Sequence, residues 1–148
     1  MQFRFNINNL GRILAVDYGK KRVGLAVTDP LKIIASALTT VPTHELFVYL
    51  KDYFARETIE KLVVGLPKQM NNEPSESMPM IKQFVGHFKK LYPEIPVQMV
   101  DERFTSKLAV QTMVMGGVKK KDRQNKALID TISATIILQS YLESESYK

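Results

Sequence analysis

Apolar residues near the start of the chain fall in two short runs that are separated by a polar turn. The first run covers residues 13–16 and the second covers 23–27, and Asp17 and Gly19 stand between them. Runs of this length around a glycine-containing turn are typical of a β-hairpin, in which Gly19 would supply a positive φ. A third strand is predicted over 33–41.

The rest of the chain alternates between helical periodicity and short apolar runs. The runs at 61–67 and 97–100 predict two buried strands. Apolar positions spaced as on one helix face predict helices over 44–57, 81–91, 104–115 and 127–142, the first with Thr43 as its N-cap. The order βββαβαβαα indicates an α/β fold with a five-stranded mixed sheet and helices on both faces, because strands separated by helices pair in parallel whereas a hairpin is antiparallel.

Length and composition narrow the class of protein. A chain of 148 residues fits a single domain over 1–148, with 1–10 as a short N-terminal extension. There is no cysteine, so disulfides and metal–thiolate sites are excluded, and neither His44 nor His87 has the spacing of a zinc-binding helix. The apolar runs are too short to span a membrane and no secretory signal is evident, so we expect a cytoplasmic protein.

The charge balance favours a polyanionic partner. Lysine and arginine number 21 against 15 acidic residues, which gives a formal net charge of +6. Such an excess attracts phosphate groups, so nucleic acid is an expected partner.

Three carboxylates stand beside strongly apolar segments, where packing alone would not place them. Asp17 shares the side-chain parity of Ile13 and Ala15, although an aspartate before a glycine is also common in turns. Asp101 and Glu102 follow the last predicted strand, so at least one of the two supplies an acid at the end where open α/β sheets bind ligands, although an acid near a helix start is also stabilising there.

Asp130 belongs to a helical stripe of small and apolar residues. Its neighbours three and four positions on are Ser133 and Ala134, so this stripe should press against the sheet and partly desolvate the carboxylate. Such a group needs a cation, and either a metal ion or a buried salt bridge would supply one. Together, carboxylates without cysteine or histidine make a hard oxygen site suited to Mg²⁺ or Mn²⁺ and hence to phosphoryl chemistry.

Four segments together resemble the YqgF family of Holliday-junction-resolvase-like proteins, nucleases of pre-16S ribosomal RNA that act in ribosome biogenesis. They are the segments 14–27 (LAVDYGKKRVGLAV), 63–67 (VVGLP), 101–106 (DERFTS) and 129–134 (IDTISA). The resemblance covers most of the chain from residue 11 to residue 142. Two departures are visible: the glycine expected in the loop after Pro67 is replaced around 72–73, and a paired alanine reads Ser133.

The resemblance implies an RNase H-like fold and a hydrolase that cleaves phosphodiester bonds with Mg²⁺ or Mn²⁺. It places catalytic and metal-binding carboxylates at Asp17 on the first strand, at Glu102 rather than Asp101, and at Asp130 on the last helix. Basic and hydroxyl side chains near these positions are the natural substrate contacts. They are Lys21, Arg22, Arg103, Thr105, Lys119, Lys120, Lys121 and Arg123.

Several alternatives stay open at the level of sequence. The Asp-x-Gly hairpin also resembles the phosphate loop of the sugar kinase and actin superfamily, but those proteins duplicate the fold and no second such hairpin occurs here. A nuclease could act on pre-16S rRNA or, as a Holliday junction resolvase, on branched DNA, and a non-catalytic RNA-binding or processing factor is a further possibility. The sequence is compatible with a monomer or a homodimer.

Overall fold

The computed structural model describes residues 11–66, 78–101 and 126–146. This part of the chain contains five strands, three α-helices and one turn of 3₁₀-helix. In chain order they are β1 (Arg12–Tyr18), β2 (Arg22–Thr28), β3 (Ala35–Pro42), the 3₁₀ turn (Thr43–Glu45), α1 (Leu46–Arg56), β4 (Ile59–Leu66), α2 (Met78–Leu91), β5 (Val97–Asp101) and α3 (Lys126–Ser146).

The strands form one mixed sheet in the order β3-β2-β1-β4-β5. The three strands from β1 to β3 pair antiparallel through short connections, whereas β4 pairs in parallel with β1 and with β5. Each parallel step follows a helix, as crossover connections require. The predicted mixed sheet is confirmed, and β1 is its central strand.

Two apolar cores lie on opposite faces of this sheet, because side chains of a buried strand alternate between its faces. Leu14 and Val16 of β1 point to the face that α1 and α2 cover, where Phe88 is fully buried. Ile13 and Ala15 point to the face that α3 covers. The prediction of helices on both faces is confirmed, and β1 contributes to both cores.

Three local predictions were wrong in detail. The backbone of Gly19 is not left-handed; instead a Cβ there would lie 2.5 Å from the carbonyl oxygen of Arg22. Thr43 does not cap α1, because its hydroxyl donates to the Gly19 carbonyl at 2.7 Å and its N–H donates to the Lys21 carbonyl at 3.0 Å. The third strand starts at Ala35 because the preceding residues form a turn around Asp29.

The helix predicted over 104–115 lies outside the described residues. None of the helices that the structure describes is both long and apolar enough to cross a membrane.

Candidate active site

Asp17 stands near the carboxyl end of the central strand and faces α3. It follows Ile13 and Ala15 at alternate positions of β1, and both of those residues belong to the core that α3 covers. The predicted side-chain parity is therefore confirmed. Asp17 itself is partly buried.

Glycines flank Asp17 on both neighbouring strands. Gly24 of β2 is its paired residue, and Gly65 of β4 lies one step beyond the Val16–Val64 pair. Neither glycine projects a side chain beside the carboxylate, although the backbone of both glycines is buried. Glycine inside a strand often marks a place where a ligand approaches closely, and hydrophobic periodicity does not detect this signal.

A hydrogen bond holds α3 over the row of paired residues that crosses the sheet at Asp17. Thr40 of β3 pairs with Gly24, which in turn pairs with Asp17. The Thr40 hydroxyl hydrogen-bonds the hydroxyl of Thr131 on α3. Asp130 immediately precedes Thr131 in this helix, so the backbone of α3 brings position 130 to the row that contains Asp17.

One turn further along α3 lies a buried hydroxyl without a hydrogen-bond partner. Ser133 is only 1% exposed, and its Oγ makes no hydrogen bond. The next residue, Ala134, is fully buried in the core between α3 and the sheet. Ser133 is thus a polar departure in an apolar layer, at the position where the family resemblance leads one to expect alanine.

The residue after Asp17 turns to the other side of the sheet. Tyr18 stacks on Phe84 of α2 with ring centroids 5.0 Å apart. Desolvation by burial raises the pKa of the Tyr18 phenol above its ordinary value of 10.0, so this group stays protonated at neutral pH. Tyr18 therefore serves the core and is not a base for chemistry at Asp17.

The hairpin that follows β1 carries the predicted basic residues that the structure describes. Lys21 is exposed at the tip, and Arg22 is partly buried at the first position of β2. The two hydrogen bonds of Thr43 tie this tip to the start of the 3₁₀ turn, so the lysine is presented from a fixed backbone. Lys20, which we did not predict, is exposed beside it.

The structure does not describe the side chains of the other predicted site residues. Asp130 lies in α3, but only its backbone is described. The others lie outside the described residues: Glu102, Arg103, Thr105, Lys119, Lys120, Lys121 and Arg123. Of the three predicted carboxylates, the described side chains therefore include only Asp17.

The oxygen ligands at the carboxyl end of β1 fit a hard divalent cation. A carboxylate oxygen is the ligand that Mg²⁺ and Mn²⁺ prefer, and the chain has no cysteine to attract a softer metal. His87 contacts Phe47 with ring centroids 4.3 Å apart and the rings tilted by 35°, on the side of the sheet that faces away from Asp17. Among the described residues no three acidic, histidine or cysteine side chains come together.

Comparisons with known proteins agree with this architecture. The model of the RuvX family, described as Holliday junction resolvase, matches residues 11–144. A solved structure of T. thermophilus RuvC in complex with Holliday junction substrate aligns with a TM-score of 0.56 at 17% identity, and the alignment covers 92% of this chain and 96% of that one. This similarity confirms the RNase H-like fold.

Curated relatives are far closer in sequence. One from Bacteroides thetaiotaomicron is 61% identical over 138 residues, which make up 93% of this chain and 100% of the relative. Another from Flavobacterium johnsoniae is 60% identical over 136 residues, which make up 92% and 99%. Both carry the name "Putative pre-16S rRNA nuclease". Since the family model matches nearly the whole chain, this protein belongs to the RuvX family.

Proposed function

We propose that this chain is a metal-dependent nuclease that hydrolyses phosphodiester bonds of structured nucleic acid. The observation that carries the proposal is the setting of Asp17. Its carboxylate lies near the carboxyl end of the central strand, between two glycines and on the face that α3 covers. The carboxyl ends of strands are where open α/β sheets bind ligands, and a carboxylate there suits metal-assisted phosphoryl chemistry.

Asp17, Glu102 and Asp130 would hold Mg²⁺ or Mn²⁺ as carboxylate ligands. A bound ion of this kind supplies Lewis-acid stabilisation of phosphate oxygens and lowers the pKa of bound water. The role of the protein would be to keep these carboxylates ionised and fixed in position. The Thr40–Thr131 hydrogen bond supports this role, because it anchors α3 next to position 130.

We propose pre-16S rRNA as the substrate, in the cytoplasm and during ribosome biogenesis. The names of relatives at about 60% identity support this assignment. Lys21 and Arg22 of the hairpin would contact the phosphate backbone on one side of Asp17, together with Arg103, Thr105, Lys119, Lys120, Lys121 and Arg123. Contacts to phosphates position a substrate without reading its sequence, so RNA structure would direct the cut.

Holliday junction cleavage is the second candidate. The description of the matching family and the substrate in the RuvC structure favour it. A resolvase must cut two strands symmetrically and therefore works as a homodimer, whereas RNA trimming is compatible with a monomer. Measuring the molar mass of the protein alone and in complex with each substrate distinguishes a monomer from a homodimer and so tests this choice.

The test compares wild type with Asp17→Asn on a labelled pre-16S rRNA fragment and on a four-way DNA junction, with Mg²⁺, Mn²⁺ or chelator. Asp52→Asn is the matched control, because it makes the same charge change at an exposed α1 carboxylate whose contact is Arg56 at 3.4 Å. We expect wild type and Asp52→Asn to cut the RNA, and Asp17→Asn to be at least about a hundredfold slower at equal folded fraction.

Other outcomes point to other functions. Cleavage of the junction alone, with the same dependence on Asp17, would make the protein a resolvase. Equal cleavage by wild type and Asp17→Asn would remove Asp17 from the chemistry. Tight RNA binding by all three proteins without any cleavage would favour a non-catalytic processing factor.

A further inference from the structure

A groove of about 470 Å³ lies on the surface between α2 and the sheet. Its floor is apolar and comprises Leu66, Val85, Val97 and Met99. Leu66, Val97 and Met99 come from β4 and β5, on the side of the sheet that α1 and α2 cover. This α2 groove is therefore on the opposite side of the sheet from Asp17.

Lysines stand along the helix side of the α2 groove. Lys82 and Lys89 both line it and are exposed. The whole of α2 contains no acidic residue, so neither lysine has an opposite charge on its own helix to neutralise it. An apolar floor beside uncompensated positive charge is complementary to an apolar segment that carries acidic residues.

Gly86 lies between these lysines and gives a second, independent indication. Lys82, Gly86 and Lys89 are spaced four and three residues apart, so they share one face of the helix. A Cβ added at Gly86 would meet no atom within 4 Å, so packing inside this chain does not require glycine there. Glycine inside a helix is less favourable than alanine by about 1 kcal/mol, and close approach of a partner would account for it.

We propose that the α2 groove binds an acidic amphipathic helix of a protein partner. The partner would place leucine-like side chains on Val85, Val97 and Met99, and its carboxylates on Lys82 and Lys89. Methionine on the floor suits such an interface, because its flexible side chain adapts to different apolar partners.

The lining of the α2 groove argues against other occupants. A nucleic acid strand would use aromatic side chains to stack its bases, and the groove lining contains none. A second copy of this chain would bring two lysine-bearing grooves together in a protein of net charge +6. Because Asp17 faces away, a partner in the α2 groove leaves the proposed cleavage site accessible, and the two proposals stand or fall separately.

The experiment uses a fluorescein-labelled synthetic helix made of leucine and glutamate, and a second peptide with lysine in place of glutamate. Fluorescence anisotropy measures their binding to the whole protein. We expect the double variant Lys82→Glu/Lys89→Glu to bind the glutamate peptide at least about tenfold more weakly than wild type and to bind the lysine peptide, which wild type does not. The control Lys51→Glu/Lys90→Glu makes the same charge change at exposed lysines outside the α2 groove, and should change affinity less than about threefold.

Substitutions at Gly86 test the shape of the α2 groove separately from its charges. Gly86→Phe should weaken binding of the glutamate peptide at least about tenfold by occupying the groove, and Gly86→Ala, which adds one methyl where the partner approaches closely, should weaken it by a smaller factor. A Cβ at residue 86 meets no atom within 4 Å, so we expect both variants to fold, and circular dichroism checks this.

The proposal is overturned if the glutamate peptide fails to bind wild type, or binds all variants equally well. It is also overturned if the groove variants lose affinity for single-stranded RNA in place of the peptide, which would make the groove a nucleic acid path. RNA cleavage by the Gly86 variants is measured in parallel, and its retention shows that any loss of peptide binding is independent of the proposed nuclease activity.

Discussion

The hydroxyl of Ser133 should destabilise this protein. It is buried between α3 and the sheet without a hydrogen-bond partner, and such a group loses its bonds to water on folding. Ser133→Ala should therefore raise the free energy of unfolding by about 1–3 kcal/mol. Urea unfolding measures the change as a shift in midpoint at constant slope.

A matched control separates burial from helix propensity. Ser140 is an exposed serine on the same helix, so Ser140→Ala should give only the propensity gain of about 0.5 kcal/mol. If the two substitutions stabilise equally, the Ser133 hydroxyl is satisfied in solution, for instance by a trapped water molecule.

Asp29 organises the turn before β3 through its carboxylate. The backbone N–H groups of Ile34 and Ile33 each donate to it at 2.8 Å, and that of Leu31 donates at 3.1 Å. Hydrogen bonds from Ile34, and then from Ile33 and Leu31, outweigh desolvation and hold the pKa of Asp29 below its ordinary value of 3.8. The carboxylate therefore stabilises the fold above that value and loses this effect as the pH falls through the lower, folded-state pKa.

The variant Asp29→Asn tests this pH dependence. Above about pH 5 the variant should be less stable than wild type by a constant amount, because the charged acceptor is missing. The difference should shrink on acidification below the ordinary pKa of an aspartate. Urea midpoints of both proteins measured from pH 7 to pH 2.5 supply the comparison, and a difference that grows on acidification would contradict the prediction.

At the scale of secondary-structure elements, alanine substitutions at two glycines should change the stability of the protein in opposite directions. Gly19→Ala would place a Cβ 2.5 Å from the Arg22 carbonyl in the β1–β2 hairpin, and the chain must shift to relieve the contact. We expect a loss of about 1–3 kcal/mol. Gly86→Ala meets no atom and should gain about 1 kcal/mol in α2. Thermal unfolding of both variants checks the signs, and two losses would show that α2 is packed at residue 86.

The sequence predicted strands and helices well because their patterns depend on local periodicity. The alternation along 13–17 correctly placed Asp17 on the same face as Ile13 and Ala15, and the structure shows that α3 covers this face. Features that depend on distant residues were missed or misassigned. Thr43 has a side chain that often caps helices, but its hydroxyl instead donates a hydrogen bond to the carbonyl of Gly19, 24 positions away. The row that joins Asp17 to Gly24 and Thr40 likewise follows from strand register, which no local pattern specifies.

At the scale of the whole molecule, one sheet joins two cores into one cooperative unit. Ile81 of α2 and Ile137 of α3 are both buried, on opposite faces. Ile81→Val and Ile137→Val should each cost about 0.5–1.5 kcal/mol. The double variant should show the sum within about 0.5 kcal/mol in a single transition, because the two sites share no contact but share the sheet. Separate transitions in near-UV and far-UV circular dichroism would show that the two layers unfold independently.

The position of α3 late in the chain also sets the order in which a nascent protein matures. The ribosome makes all five described strands before it makes α3, so Ile13 and Ala15 cannot make their contacts with this helix until it has been synthesised. Asp17 is then present without the helix that carries Asp130. The proposed metal site can therefore assemble only when α3 docks on the sheet, so we expect a nascent chain that still lacks this helix not to cleave RNA.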